Sequence, residues 1–254
     1  MKRFKFWSIM LLVVMALPMM VACGDDDEKD STPDSGSYSS MTKYDKQKLD
    51  SLAKIYGKTY TVSLDEAGSL EYKLSLLNVD IKRITGLQIS GKMNGSDIKY
   101  LHYLNNLVVL DMSESQIVDG GSYMFYDYGS GYSTKIEARH NVVTKGMFRD
   151  IESLEYLALP KEIFKIEKYS IGYHTKLKTI VFPKDLKSIE DGAIYSRSDA
   201  MIYRSFIENP FQISSNNLPE SHSLKYSVLY VPKGTKEKYQ NTDGWKLFPT
   251  IIEM

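Results

Sequence analysis

The sequence predicts an α/β solenoid built on one parallel β-sheet, with a helix-and-strand cap at its amino-terminal end and a short helical cap at its carboxy-terminal end. Two observations carry this. Leu154, Leu157, Leu159, Pro160, Ile163 and Ile166 recur 23 residues later as Leu177, Ile180, Phe182, Pro183, Leu186 and Ile189. The same offset separates Ile84, Leu87 and Ile89 from Leu107, Leu110 and Met112. A fixed period of about 20–29 residues carrying L-x-x-L-x-L marks a leucine-rich repeat, in which each unit buries its apolar face only against its neighbours.

Ahead of the repeats, residues 43–80 form the amino-terminal cap. Leu49, Leu52, Ala53 and Tyr56 fall at i, i+3, i+4 and i+7, and Gly57 supplies a stop, so a helix is expected there. Residues 59–64 alternate polar and apolar side chains as a short strand does, and a second helix is expected over 69–77. The repeats occupy 81–232. Between the first two rungs, Ser96-Asp97 cap a short helix through Leu104. Asn94-Gly95-Ser96 fits an N-glycosylation pattern but reads better as a turn and helix cap.

Within each rung the fourth and sixth motif positions point inward, because strand side chains alternate. The proline that follows ends the strand, having no N–H for the ladder. The residue between the two inward positions faces out, so Gln88, Asp111, Ala158, Val181 and Tyr230 form a column that would line one binding face. Phe148, Ile171 and Ile194 share the 23-residue period and would fill the interior ahead of each following strand. Residues 113–143 interrupt the period as a long insertion. Residues 202–207 read as a strand whose register the pattern leaves open. The last rung is Tyr226, Leu229, Val231 and Pro232. Residues 233–254 form the closing cap, with a helical segment near 236–240. Trp245, Phe248, Ile251 and Ile252 would then cover the open end of the core.

The chain begins with Lys2, Arg3 and Lys5 and an apolar run over residues 6–20. That run is short of the roughly 20 residues a spanning helix needs, so it reads as an export signal. It ends in Met20-Val21-Ala22-Cys23, and Cys23 is the only cysteine. This resembles a bacterial lipoprotein signal, which implies that residues 1–22 are removed and the Cys23 sulfur acylated. The acidic Gly24-Asp25-Asp26-Asp27-Glu28-Lys29-Asp30 that follows is a solvated, self-repelling run. It resembles the tag with which Bacteroides-like bacteria send lipoproteins to the outer face of the outer membrane; a plain charged tether is the other reading. Residues 23–42, the lipidated cysteine and a Ser-rich leash, would reach roughly 25 Å. The folded part is then 43–254, held at the membrane by its lipid.

Lysine plus arginine and aspartate plus glutamate each number 32. Removal of residues 1–22 would leave 29 basic against 32 acidic groups. This balance argues against nucleic acid, which requires a strongly basic face. No catalytic constellation is legible. His102, His140, His174 and His222 lack metal-ligand spacing, and there is no phosphate loop or nucleophile elbow. An enzyme is not expected, nor a metal or cofactor. His174 falls in a repeat turn and reads as solvated or hydrogen-bonded.

The binding candidates lie in the insertion. Tyr123, Phe125, Tyr126, Tyr128 and Tyr132 fall within ten residues, around a Gly129-Ser130-Gly131 that reads as a flexible loop. Tyrosine gives a large rigid contact area with a polar tip, and long loops on rigid scaffolds often carry function. Tyr123, Phe125 and Tyr126 are equally able to fold down and pack on the core. Asp30-Ser31-Thr32 and Asp50-Ser51-Leu52 resemble a short O-glycosylation acceptor motif of Bacteroides-like bacteria.

The repeat Phe148, Leu154, Leu157, Leu159, Pro160, Ile163, Ile166 is similar to the BspA-type leucine-rich repeat of surface proteins from Bacteroides and relatives. Three further stretches share that resemblance: Gly91 to Ile98 (GKMNGSDI); Leu110-Asp111-Met112-Ser113 with Ile117-Val118 and Gly120-Gly121; and Leu229 to Thr235 (LYVPKGT) with Asp243-Gly244-Trp245. The resemblance implies a surface protein that adheres to or binds a host or bacterial macromolecule, protein or glycan, and it supplies no catalytic residues. The chain departs from the family in having two clean repeats and a long interruption. A structural cell-envelope component is the remaining alternative.

Overall fold

The structure, a computed structural model, describes residues 59–198, 200–218 and 224–254. The export signal, Cys23 and its tether, the helix expected over 49–56, the two O-glycosylation matches and His222 lie outside the described residues.

The repeat motif folds as its alternation dictates. β1 (Thr59–Leu64), β2 (Gly86–Met93), β3 (Val109–Ile117), β7 (Tyr156–Ala158), β10 (Thr179–Phe182), β13 (Ile202–Ser205), β14 (Val228–Val231) and β15 (Thr250–Glu253) make one parallel sheet, adjacent in that order. One inward position runs through it in register as Tyr60, Leu87, Leu110, Leu157, Ile180, Tyr203, Leu229 and Ile251. All of these but Tyr60 are buried. The second inward position of the motif, held by Ile89, Met112, Leu159 and Phe182, is buried in the same core.

Each clean repeat also contributes two short strands on its other sides. β6 (Val142–Val143), β8 (Lys165–Ile166) and β11 (Ser188–Ile189) form a second parallel sheet. β9 (Ile171–His174) and β12 (Ile194–Ser196) form a third. Phe148, Ile171 and Ile194 fill the interior as expected, the last two from β9 and β12.

The amino-terminal cap is stitched by one carboxylate. Helix α1 (Leu70–Ser75) and helix α2 (Gly95–Leu101) both begin on Asp97, which accepts from Gly68 N (2.6 Å), Leu70 N (2.9 Å) and Asn94 N (2.8 Å). The helix cap itself is Asn94, whose side chain accepts from Ser96 N. Ser96 is therefore inside the helix rather than at its cap.

The insertion and the closing segment depart from expectation. The insertion is an antiparallel hairpin, β4 (Gly120–Asp127) and β5 (Tyr132–Ala138), with residues 128–131 as its turn. The hairpin starts against α2, and a Cβ at Gly95 would stand 2.5 Å from the Gly121 carbonyl carbon, so backbone lies on backbone. The strand expected within residues 202–207 is β13, and its register, left open by the pattern, is set by β10 and β14 on either side. The chain also makes an eighth strand, β15, beyond the expected last rung. Of the closing residues, Trp245, Phe248 and Ile251 are buried, whereas Ile252 points to the outer face and is 40% exposed. A helix α3 (Lys236–Gln240) precedes them where it was expected.

Among the described residues no helix is long and apolar enough to cross a membrane.

Candidate functional site

The outward column exists but is not an open face. Gln88, Asp111, Ala158, Val181 and Tyr230 share one register, with Arg204 between Val181 and Tyr230. Asp111 is buried, accepting from Ser113 N (2.9 Å) and Ser113 Oγ (2.7 Å). Ala158 and Val181 belong to a second buried cluster with Val108, Val109 and Tyr156. Only Gln88 and Tyr230 retain partial exposure. Outward direction in a strand does not by itself make a surface.

The tyrosine-rich insertion divides by strand alternation. Tyr123 and Phe125 point inward and are buried; Tyr126 points outward. Tyr123 is the anchor of the hairpin. Its hydroxyl shares a hydrogen bond with Thr144 Oγ1 (2.6 Å) and donates to the Lys145 carbonyl (3.0 Å), and its ring meets His102 edge-on at 5.7 Å. Burial pushes the Tyr123 phenol above its ordinary value. Tyr132 is exposed beyond the turn, on the other strand from Tyr126.

The turn delivers Tyr128 to a place no single segment reveals. Tyr126, Tyr128, Tyr173 and Tyr195 form a continuous ladder, 45%, 57%, 39% and 38% exposed. Successive ring centroids lie 5.0, 5.2 and 5.4 Å apart, at interplanar angles of 85°, 48° and 47°. Tyr173 and Tyr195 come from β9 and β12 on adjacent rungs. The segment carrying Arg149 lies alongside β9, with Phe148 N donating to Ser170 O and Asp150 N to Gly172 O.

Arg149 holds these parts together. Its guanidinium carbon lies 4.2 Å from the Tyr173 centroid and 4.8 Å from those of Phe125 and Tyr128. The side chain is buried, and Nε is 3.6 Å from Asp150 Oδ2 with no hydrogen-bond partner. A buried cation with an unmet donor is costly, and three aromatic faces supply the compensating charge here. Burial raises the Asp150 carboxyl above its usual value, opposed by Arg149. At the hairpin end, Lys145 Nζ lies 4.3 Å over Phe125 and 3.8 Å from Asp127. Backbone N–H donation from Gly129 holds the Asp127 carboxyl below the ordinary range. At the far end, a hydrogen bond with Tyr195 raises Arg197.

Backbone geometry marks the same region. Gly146, Tyr169 and Gly192 all have positive φ (76°, 62°, 69°) at the 23-residue period, as do Asp150 and Tyr173 (63°, 60°). Tyrosine in the left-handed region costs on the order of 1–3 kcal/mol, yet Tyr169 and Tyr173 stand there with exposed rings. A Cβ at Gly146 would overlap the Phe125 ring, so that glycine also seats the hairpin.

The loop beneath the ladder hangs on two histidines. His102 Nε2 contacts Met147 O at 3.0 Å, and His174 contacts Phe148 O through Nε2 (2.6 Å) and Ile151 O through Nδ1 (3.0 Å). His174 lies in β9 and not in a turn, and of the two readings, solvated or hydrogen-bonded, the structure shows the second, fully buried. Burial lowers both histidines from the ordinary value, the carbonyls pulling the other way. The unfolded chain therefore binds protons more readily than the fold. Their contribution is complete above an unfolded value of about 6.5 and is lost as pH falls through the lowered folded values. Urea midpoints measured from pH 7.5 down to 5 should decline, less steeply in His102→Gln. A flat or rising profile would show that the carbonyls outweigh burial.

Among the described residues no group of three His, Cys, Asp or Glu side chains could hold a metal ion. A family model for the BspA type leucine-rich repeat region matches residues 99–225 in six copies, half of the chain. No curated protein matches it.

Proposed function

Because the chain belongs to the BspA-type leucine-rich repeat family, we propose that it is a lipid-anchored cell-surface protein that binds a protein partner through the tyrosine ladder. Leucine-rich repeats serve as interaction scaffolds, and their solenoid surfaces suit macromolecules. The observation that carries the reading is the ladder: four exposed tyrosines from one hairpin and two rungs, fixed on a buried arginine. Rigid aromatic anchors of this kind lose little side-chain entropy on binding.

Ring geometry favours protein over glycan. Sugars stack on free, flat ring faces, and here each ring leans on its neighbour at 47–85°. Tyr128 and Tyr173 also turn toward Arg149. Edges and hydroxyls are what the ladder presents. The outer-membrane location and surface exposure rest on the sequence before residue 43.

Binding of the chain to arrays of extracellular-matrix proteins and of glycans tests the site, with Tyr128→Ala and Tyr195→Ala as variants. Protein hits weakened about tenfold or more by both variants are expected. Hits confined to glycans would sink the protein reading. Anchoring is tested separately. Cys23→Ser should move the protein from the membrane to the soluble fraction, and protease added to intact cells should remove the folded part. Membrane retention of Cys23→Ser would remove the lipid, and a protease-resistant fold in intact cells would place the protein on the periplasmic side.

A further inference from the structure

The last strand of the sheet offers a second interaction surface, independent of the ladder. β15 pairs with β14 on one side, and no described residue pairs with its other side. Met254 N donates to Val231 O. In a parallel ladder the backbone groups of alternate residues face alternate neighbours. Thr250, Ile252 and Met254 therefore face β14, and the N–H and C=O of Ile251 and Glu253 face away from it. An open strand edge of this kind is a template for a further strand.

A depression of about 520 Å³ runs along this edge, lined by Lys236, Gln240, Lys246, Phe248, Pro249 and residues 250–252. Ile251 points into the core and Ile252 to the outer face, yet both line it. A cavity reached by both faces of one strand lies at its edge. Its volume is in the range of ligand sites. Its lining includes two lysines, and the nearby Glu253 carboxylate is engaged by the backbone N–H of Lys236 (3.1 Å). Lys246 has an exposed partner in Asp243 at 2.6 Å, which surface screening leaves weak.

We propose that β15 takes an extended segment of a partner protein as an added strand, with a carboxylate side chain of that segment seated between Lys236 and Lys246. Main-chain bonds to Ile251 and Glu253 would supply affinity, and the lysine-lined depression would select the acidic side chain. Phe248 and Pro249 give an apolar floor on which the stem of a glutamate fits.

The test uses the full chain carrying Cys23→Ser, labelled for amide NMR. The probes are acetyl-Thr-Val-Glu-Val-Thr-amide, its lysine counterpart and the glutamate peptide N-methylated at its central residue. The glutamate peptide should shift the Ile251 and Glu253 amides and slow their exchange at least tenfold. The lysine and N-methyl peptides should bind at least tenfold more weakly. Lys236→Glu with Lys246→Glu should reverse the charge preference. Glu253→Pro removes an outward N–H, and with it the carboxylate on Lys236 N, while leaving the bonds to β14; it should abolish binding in a folded protein, whereas Glu253→Gln, which keeps the N–H, should retain it. Equal binding of all three peptides overturns the proposal, as does undiminished binding to folded Glu253→Pro or no binding at millimolar peptide. Protection of the same amides by concentration-dependent self-association, without peptide, also overturns it and assigns the edge to a second copy.

Discussion

Trp245→Ala is expected to lower the unfolding free energy by about 3–5 kcal/mol, the range for truncating a large buried aromatic. Trp245 is fully buried at the closing end of the core. Its ring meets Tyr239 at 5.4 Å, Phe182 at 6.1 Å, Phe211 at 6.2 Å and Phe248 at 6.3 Å. Phe248 in turn lies 5.0 Å from Tyr203, so the cap continues into the sheet's inward column. Alanine would open a cavity among these rings and would also leave the Phe211 carbonyl without the Nε1–H that now reaches it at 2.8 Å. Trp245→Phe weighs the two losses against each other, keeping most of the volume but losing the donor, at about 1–3 kcal/mol for the unpaired carbonyl. Urea unfolding followed by circular dichroism measures both. A cost below about 1 kcal/mol for alanine, well under the usual range, would show that the solenoid's end holds without this cap.

The rungs were legible because their chemistry is local. Leucine or isoleucine at fixed offsets, with proline after the strand, reports which side chains face in, and every residue of both clean motif copies from Leu154 to Ile189 is buried. Where the side chain changed type the period went unseen. Tyr203 stands 23 residues after Ile180 and fills the same inward position, but an aromatic there hid β13's register. Ile251 and Ile252 read as plug, with Trp245 and Phe248, because a strand of four residues is too short for its alternation to stand out. Ile252 shows the difference: an inward plug would be buried, whereas strand alternation turns it out.

The candidate site was half legible. Tyr128 and Tyr126 were singled out by composition, and the alternation of Tyr123 and Phe125 with Met124 and Tyr126 was present in the sequence as a strand signal. Glycine-rich flanks masked it as a loop. Sequence reasoning does not find Arg149, Tyr173 and Tyr195, since the ladder joins one hairpin to two rungs and Arg149 reaches it from a further segment. One signal was available. Tyr169 occupies the repeat position that Gly146 and Gly192 hold on either side, and a tyrosine where neighbours use glycine costs backbone energy with no gain in the core.

Arg149→Ala is expected to release the hairpin tip while leaving the solenoid folded. Three ring faces surround the guanidinium, and desolvated cation–π contacts are worth up to about 2 kcal/mol each. Their removal exposes the inner faces of Tyr128 and Tyr173 and leaves Phe125 beside a void. The hairpin retains Tyr123, with its hydrogen bonds to Thr144 and Lys145, as a base anchor. Loosening should therefore be graded: amides of residues 125–134 should exchange roughly thirtyfold faster, for a local loss of about 2 kcal/mol, and those of β7 and β10 should be unchanged. Arg149→Met separates charge from volume. If it restores the tip's protection, packing alone holds the hairpin; if it does not, the cation is needed. Partner binding gives the functional readout. A displaced Tyr128 breaks the ladder between Tyr126 and Tyr173, so Arg149→Ala should weaken binding at least as much as Tyr128→Ala, although Arg149 itself is buried from any partner. Unchanged exchange at the tip would refute the clamp. A mobile tip with undiminished binding would move the recognition surface away from the ladder, because no rigid array of rings would then remain for a partner to meet.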